Sequence, residues 1–145
     1  MDNKKKKLIA WALFLFWMSF IFYMSHQPGN VSSKQSGFIV YLFNMFGLEL
    51  SRFGDLATFI IRKSAHFTEY MILCFLSYNL LRFYVKNNMI YIYSLIIVFG
   101  YASTDEFHQL FVAGRSGQFK DVLIDTSGGT FGIILIYLKN KFFNR

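Results

Sequence analysis

The sequence "STDEFHQLFVAGRSGQFKDVLIDTSGG", residues 103–129, decides how this chain is organised. It places two carboxylates, a histidine and a glutamine within residues 105–109, and an arginine, two further aspartates and paired glycines follow. Apolar runs precede it and follow it. Ionisable side chains are costly in a membrane, so we expect a chain suited to lipid to bring these groups together inside the protein.

The composition is that of a small membrane protein. The chain has 145 residues, of which 54% are hydrophobic and only 16% charged, with 19 Phe and 9 Tyr, which is too apolar and aromatic for an ordinary soluble domain. The net charge of +7 does not indicate nucleic-acid binding, because the basic residues lie at the ends of apolar runs, beginning with residues 4–7, and not along a soluble face. The single cysteine, Cys74, cannot form an intramolecular disulfide.

Apolar runs of sufficient length predict an all-α membrane protein, a bundle of about four transmembrane helices. The first run, "LIAWALFLFWMSFIFYM", follows four lysines and resembles a secretory signal. It lacks a small-x-small cleavage site, so we favour an uncleaved span. The predicted domain covers residues 1–145, with spans at about residues 8–24, 56–83, 89–111 and 122–138 and an outer loop at residues 25–55.

The basic residues predict the orientation of these spans. When four spans alternate, every short basic cluster falls on one side of the membrane: residues 4–7, Arg82 with Lys86, and Lys139 with Lys141 and Arg145. Short loops rich in Lys and Arg stay in the cytoplasm, so both termini are predicted to be cytoplasmic. A three-span alternative, with residues 59–71 outside the bilayer, would leave the C-terminal charges on the wrong side.

In this topology three spans carry polar stripes at the outer level. The residues recur at helical spacing: Arg62, His66 and Glu69 or Tyr70 on the second span, Asp105, His108 and Gln109 on the third, and Asp121 and Asp125 on the fourth. Stripes at one depth can meet, so we predict an outward-facing polar pocket. The alternative is an ion-pair network that only locks helices together. Gly128, Gly129 and Gly132 are expected to let the fourth span pack closely against a neighbour.

The residue types in this pocket suit acid–base chemistry or the binding of an anion. A histidine beside a carboxylate is the arrangement needed for proton transfer, and the candidate catalytic residues are His66, Asp105, Glu106 and His108. Lys63 and Arg115 can hold a phosphate or a carboxylate, although Arg115 and Lys120 could also bind only lipid headgroups. The candidate ligand-binding residues are Lys63, Tyr70, Gln109, Arg115, Asp121 and Asp125.

Other chemistries have less support. No serine lies in a nucleophile elbow, so a covalent hydrolase mechanism is not indicated. Histidine and carboxylate occur at helical spacing in "HFTE" and "DEFH", but neither matches an established zinc pattern such as HExxH. We therefore assign no metal ligand from the sequence, and no cofactor is identified.

The long outer segment, residues 25–53, changes character along its length. It begins with the polar "SHQPGNVSSKQS" and continues with the aromatic and aliphatic "GFIVYLFNMFGLELSRF". The second part predicts a short helix on the membrane interface. This helix could cap the polar pocket as a lid, or the segment could be only a connector.

Three ordered motifs cover most of the chain: "FYMSHQP" at residues 22–28, "KSAHFTEY" at residues 63–70 and "DEFHQLFVAGRSGQFKDVLIDTSGG" at residues 105–129. Together they resemble the VanZ-like family of bacterial integral membrane proteins. The most specific part is a D-E-x-H-Q-x-F run followed by an arginine and an aspartate, here Asp105, Glu106, His108, Gln109, Phe111, Arg115 and Asp121. Lys63, His66 and Tyr70 match a K-x-x-H-x-x-x-Y element.

The resemblance implies a multi-pass protein of the bacterial plasma membrane. The family's namesake is associated with low-level teicoplanin resistance in Gram-positive bacteria. We therefore expect an outward-facing pocket that engages an envelope lipid, a peptidoglycan precursor or a lipoglycopeptide, with membrane lipids as partners and no nucleic acid. The alternative is a membrane enzyme that acts on an anionic lipid-linked substrate. A proton-coupled transporter has less support, because four spans leave little room for an alternating pathway.

Overall fold

A computed structural model describes residues 2–143, and every regular element in that range is helical. The elements are α1 (Asn3–Ser25), α2 (Gly29–Met45), a short 3-10 helix (Leu50–Phe53), α3 (Asp55–Leu81), α4 (Met89–Gln109) and α5 (Phe119–Phe143). The predicted all-α fold is therefore confirmed. The four predicted spans correspond to α1, α3, α4 and α5, and the long outer segment contains α2.

Local sequence explains where several helices begin. The Asp2 side chain accepts a hydrogen bond from the Lys4 backbone nitrogen at 3.4 Å, so α1 begins before its apolar run and includes the lysines. Pro28 is the N-cap of α2, where its missing N–H leaves no helical hydrogen bond unmade. Gly54 has a φ of +50° before α3, a conformation that glycine adopts without the steric penalty of a Cβ.

Helix α3 lies at the centre of the bundle and packs against α1, α2, α4 and α5. The buried core includes Ile21 from α1, Leu73 and Cys74 from α3, and Val98 and Ala102 from α4. Outside the core many large apolar side chains remain exposed. A bundle with an apolar outer surface is the arrangement expected where lipid replaces water as the solvent.

Two helices of the described residues, α1 and α5, are long and apolar enough to cross a membrane. In α1 most apolar side chains face outward, for example Leu8 and Phe16, which are 71% and 66% exposed. These features agree with a membrane protein.

The closest helix packing occurs at the glycines of α5. A Cβ on Gly128 would overlap the backbone oxygen of Phe67 in α3, and a Cβ on Gly129 would lie 2.7 Å from a methyl carbon of Val98 in α4. A Cβ on Gly132 would lie 3.2 Å from the backbone oxygen of Met71. The expectation that these glycines serve helix packing is confirmed, since any side chain at Gly128 would force α3 and α5 apart.

The two ends of the bundle differ in their contacts. At one end, which we call the basic end, Trp11 Nε1 donates a hydrogen bond to the Tyr84 hydroxyl at 2.7 Å. Asn140 Nδ2 donates to the hydroxyls of Tyr78 and Tyr91 at 2.8 and 3.0 Å. The start of α1, the α3–α4 connection and the last turns of α5 therefore meet there, and all three carry lysine or arginine. We call the opposite end the site end.

Substituting Gly128 tests the α3–α5 contact. Gly128→Ala is expected to lower the free energy of unfolding by about 1–3 kcal/mol, as overpacking typically does, because the obstacle is backbone that cannot rotate away. Thermal unfolding in detergent measures the effect.

The matched control is Gly100→Ala in α4, where a Cβ meets nothing within 4 Å. This variant is expected to be as stable as the wild type or slightly more stable, since alanine favours helix over glycine. Equal melting temperatures for Gly128→Ala and wild type would contradict the packing argument.

Candidate functional site

Four ionisable residues from three helices converge at the site end. His66 lies on α3, Asp105 and Glu106 on α4, and Asp125 on α5. Each offers one nitrogen or oxygen atom, and these atoms all lie within 4.8 Å of one another. We call this group the four-residue cluster. It combines three of the predicted catalytic residues with Asp125, which was predicted to bind ligand.

All four side chains have defined contacts. His66 Nδ1 lies 3.4 Å from Asp125 Oδ1. Glu106 accepts hydrogen bonds from Gln109 Nε2 at 3.1 Å and from the Gln118 backbone nitrogen at 3.0 Å. Gln109 Nε2 also reaches Asp105 Oδ2 at 3.4 Å. Gln109 therefore fixes the relative positions of both α4 carboxylates.

The cluster is buried. Asp105, Glu106 and Asp125 are 3%, 4% and 0% exposed, and neither oxygen of Asp125 makes a hydrogen bond. Tyr70 is fully buried as well and interacts electrostatically with Asp105. Buried carboxylates normally have donors or counter-ions. Keeping these carboxylates ionised therefore costs free energy unless a cation or a hydrogen-bond donor is close to them.

Basic residues surround the cluster. Lys63 forms an ion pair with Asp121. Arg115 donates from Nε to the backbone oxygen of Gln27 at 3.0 Å and from Nη2 to that of Met24 at 3.1 Å. Met24 lies in the last turn of α1, and Gln27 lies just after the helix. Burial lowers the pKa of the Arg115 guanidinium from its ordinary value.

Two cavities adjoin at the cluster. The first, which we call the apolar cavity, has a volume of about 560 Å³ and is lined mainly by α1, α2 and α3, including Ile21, Phe38 and Ile39. The second, the basic cavity, has a volume of about 420 Å³. Its charged lining residues are Arg62, Lys63, His66, Arg115, Lys120 and Asp121. Arg62, His66 and Arg115 line both cavities, so the two volumes meet at the cluster.

His108 lies apart from the four-residue cluster. Its Nε2 is 3.0 Å from His26 Nδ1, and its ring centroid lies 4.7 Å from that of Phe22. The structure thus places this predicted catalytic residue against the end of α1. The other predicted site residues line or neighbour the two cavities, with the exception of Tyr70 in the core.

The lists of candidate catalytic and ligand-binding residues did not include Arg62 or Ser25, which the structure brings to the site. Arg62 lines both cavities, and its helical spacing to His66 was the available signal. Ser25 is buried, lines the apolar cavity and interacts with Asp105. It lies inside the motif "FYMSHQP", so the family pattern could have identified it.

Helix α2 forms one wall of the apolar cavity through Ser32, Ser36, Phe38 and Ile39. Its first residue, Gly29, donates a backbone hydrogen bond to the Ala113 oxygen at 3.0 Å. A Cβ on Gly29 would overlap the Gly114 oxygen. The start of α2 and the α4–α5 loop are therefore held together.

Removing Arg115 tests the attachment of the α4–α5 loop to the end of α1. Arg115→Ala is expected to lower the free energy of unfolding by about 2 kcal/mol, since a hydrogen bond from a charged donor contributes about 1.5–3 kcal/mol. Arg52→Ala is the control, because Arg52 pairs with Glu49 on the surface and is 75% exposed, where such pairs contribute at most about 1 kcal/mol. Thermal unfolding in detergent compares the two, and equal losses would contradict a specific role for Arg115.

Comparison with known proteins agrees with the motifs. A family model described as VanZ/LLP1 matches residues 10–140. No curated protein and no solved structure gave a match. The matched residues include the four-residue cluster, the lining of both cavities, all of α3 and α4, and most of α1 and α5. This chain therefore belongs to the VanZ/LLP1 family.

Proposed function

We propose that the protein is a four-span membrane protein of the bacterial cell envelope whose outward-facing site binds a lipid or lipid-linked molecule with an anionic headgroup. The observation that carries this proposal is the junction of an apolar and a basic cavity at Arg62, His66 and Arg115. An amphipathic ligand needs two such volumes in contact, one for its chain and one for its headgroup.

The proposed topology has α1, α3, α4 and α5 crossing the membrane, with the basic end and both termini in the cytoplasm. Support comes from the apolar length of α1 and α5 and from the lysines and arginines at the basic end. Exposed apolar residues on α3 and α4, such as Phe59, Ile60, Ile92 and Ile96, suit contact with lipid. Helix α2 would then lie at the outer interface and cover the apolar cavity.

The basic cavity suits a phosphate or a carboxylate. Arg62, Lys63, Arg115 and Lys120 line it, and Asp121 is its only lining carboxylate among the described residues. Arg115 uses two of its N–H groups on backbone oxygens and so retains three of the five that a guanidinium offers. A partly desolvated guanidinium makes strong, charge-assisted hydrogen bonds to such anions.

The apolar cavity suits a hydrocarbon chain. Ile21, Met24, Phe38, Ile39 and Ile61 supply most of its apolar wall. Its volume of about 560 Å³ is within the range of about 300–1,000 Å³ found for small-molecule sites. A chain that enters from the lipid between α2 and α3 would bring its headgroup to the basic cavity.

An enzyme acting on an anionic lipid-linked substrate is the second candidate. The contact that favours it is His66 Nδ1 to Asp125 Oδ1 at 3.4 Å, since a buried carboxylate that orients a histidine is a common acid–base arrangement. His66 also lines both cavities. A ligand at their junction would lie within reach of this histidine.

We also propose that the site contributes to glycopeptide resistance of the teicoplanin type. The support is membership of the VanZ/LLP1 family together with a cavity pair suited to an envelope lipid, a peptidoglycan precursor or a lipoglycopeptide.

Anionic lipid binding is tested with short-chain phosphatidic acid and phosphatidylcholine that carry identical chains. Detergent-purified protein in EDTA is expected to bind phosphatidic acid more tightly, because only its phosphate lacks a compensating positive group. Arg62→Gln is expected to weaken this binding about tenfold or more, which corresponds to the loss of one charge-assisted hydrogen bond. Isothermal titration measures the affinities.

Arg82→Gln is the matched control, because Arg82 follows the same helix at the basic end, away from both cavities. Its affinity for phosphatidic acid should equal that of the wild type. Equal affinity of the wild type for the two lipids would contradict the proposal. An equal loss of affinity for phosphatidic acid in both variants would contradict it as well.

Teicoplanin susceptibility of a Gram-positive host tests the biological link. Expression of the wild type is expected to protect the host, while His66→Ala, Asp105→Asn and Glu106→Gln at equal membrane levels should not. His108→Ala is expected to keep protection, because His108 contacts His26 and Phe22 and lies outside the cluster. Absence of protection by the wild type would contradict the resistance link.

A further inference from the structure

We propose that His66, Asp105, Glu106 and Asp125 form a binding site for one divalent metal ion of the first transition row, for which Mn²⁺ serves as the test ion. Their donor atoms lie within 4.8 Å of one another. Ligand atoms lie about 2.0–2.2 Å from Zn²⁺ or Mg²⁺, so donors on opposite sides of an ion are up to about 4.4 Å apart. The side chains need to close by only a few tenths of an ångström around an ion.

Unpaired donor atoms inside the cluster are the second observation. Asp125 is fully buried, and neither of its oxygens makes a hydrogen bond. Its one ionic contact is the 3.4 Å approach of His66 Nδ1, an atom that also makes no hydrogen bond. A buried polar group without a partner is rare and destabilising. A metal ion would supply the missing partner to both residues.

The charges around the cluster favour a cation as well. Of the three buried carboxylates, Asp125 alone has an ion-pair partner within residues 2–143, and that partner is His66. Lys63 is paired with Asp121, and Arg115 donates to the backbone oxygens of Met24 and Gln27. Buried charges that lack compensation are strongly destabilising. A divalent ion would supply positive charge to all of these carboxylates at once.

The donor set indicates the class of ion. Carboxylates suit Mg²⁺, Ca²⁺ and Mn²⁺, whereas imidazole suits the transition metals. A set of three carboxylates and one imidazole therefore favours a transition ion that accepts oxygen readily, such as Mn²⁺. The surrounding hydrogen bonds fit this role, because Gln109 and the Gln118 backbone hold Glu106 in place as partners of metal ligands do.

Electron paramagnetic resonance of Mn²⁺ titrated into metal-stripped, detergent-purified protein tests the site. We expect one Mn²⁺ per chain and a rise in melting temperature on binding, since a ligand of the folded state stabilises it. Asp125→Asn and Asp105→Asn keep side-chain size and are expected to weaken binding more than about tenfold, because even changes to groups that only orient metal ligands cost about 10–100-fold.

Asp55→Asn is the matched control, with the same chemical change at an exposed residue of α3 outside the four-residue cluster and both cavities. It is expected to bind Mn²⁺ like the wild type. Failure of the folded wild type to bind Mn²⁺ at millimolar concentration would overturn the proposal, as would equal binding by wild type and an Asp105→Asn, Asp125→Asn double variant. The titration contains no added lipid, whereas lipid binding is measured in EDTA, so the two proposals can fail separately.

Discussion

Gly128 brings α5 against the backbone of α3 at Phe67, and the geometry of the site depends on that contact. Phe67 follows His66 directly, and Asp125 lies one turn before Gly128. The close approach therefore places the imidazole and the carboxylate 3.4 Å apart. A Cβ at Gly128 would overlap the Phe67 oxygen, so the two helices would have to move apart. The glycine thus acts on the site without contacting a ligand.

The helices and the convergence of their polar stripes could be predicted from the sequence, because spacing of three or four residues places side chains on one helix face. The exact membership of the cluster could not. His108 and Gln109 are about 100° apart around α4, so they cannot both face α3 and α5. Gln109 faces Glu106 and the cluster, while His108 meets His26 on α1. Only the positions of the neighbouring helices determine which of these two residues faces the cluster.

The role of Arg115 also depends on tertiary structure. An arginine in a polar loop suggests an anion site, and Arg115 does line both cavities. Two of its N–H groups, however, donate to the backbone oxygens of Met24 and Gln27 at the end of α1. Sequence spacing cannot predict these two contacts, because each joins residues that are far apart in the chain, by 88 and 91 positions. One side chain therefore holds α1 in place and contributes positive charge to the cavities.

Opposite charges are separated within this site. The carboxylates of the cluster are buried between α3, α4 and α5, and the arginines and lysines line the adjoining basic cavity. The cations remain outside the cluster because Lys63 and Arg115 have other partners. If a divalent ion fills the cluster, an anionic headgroup in the basic cavity would meet positive charge on both sides. Metal binding would then favour lipid binding through electrostatics, since low-dielectric surroundings strengthen such attractions.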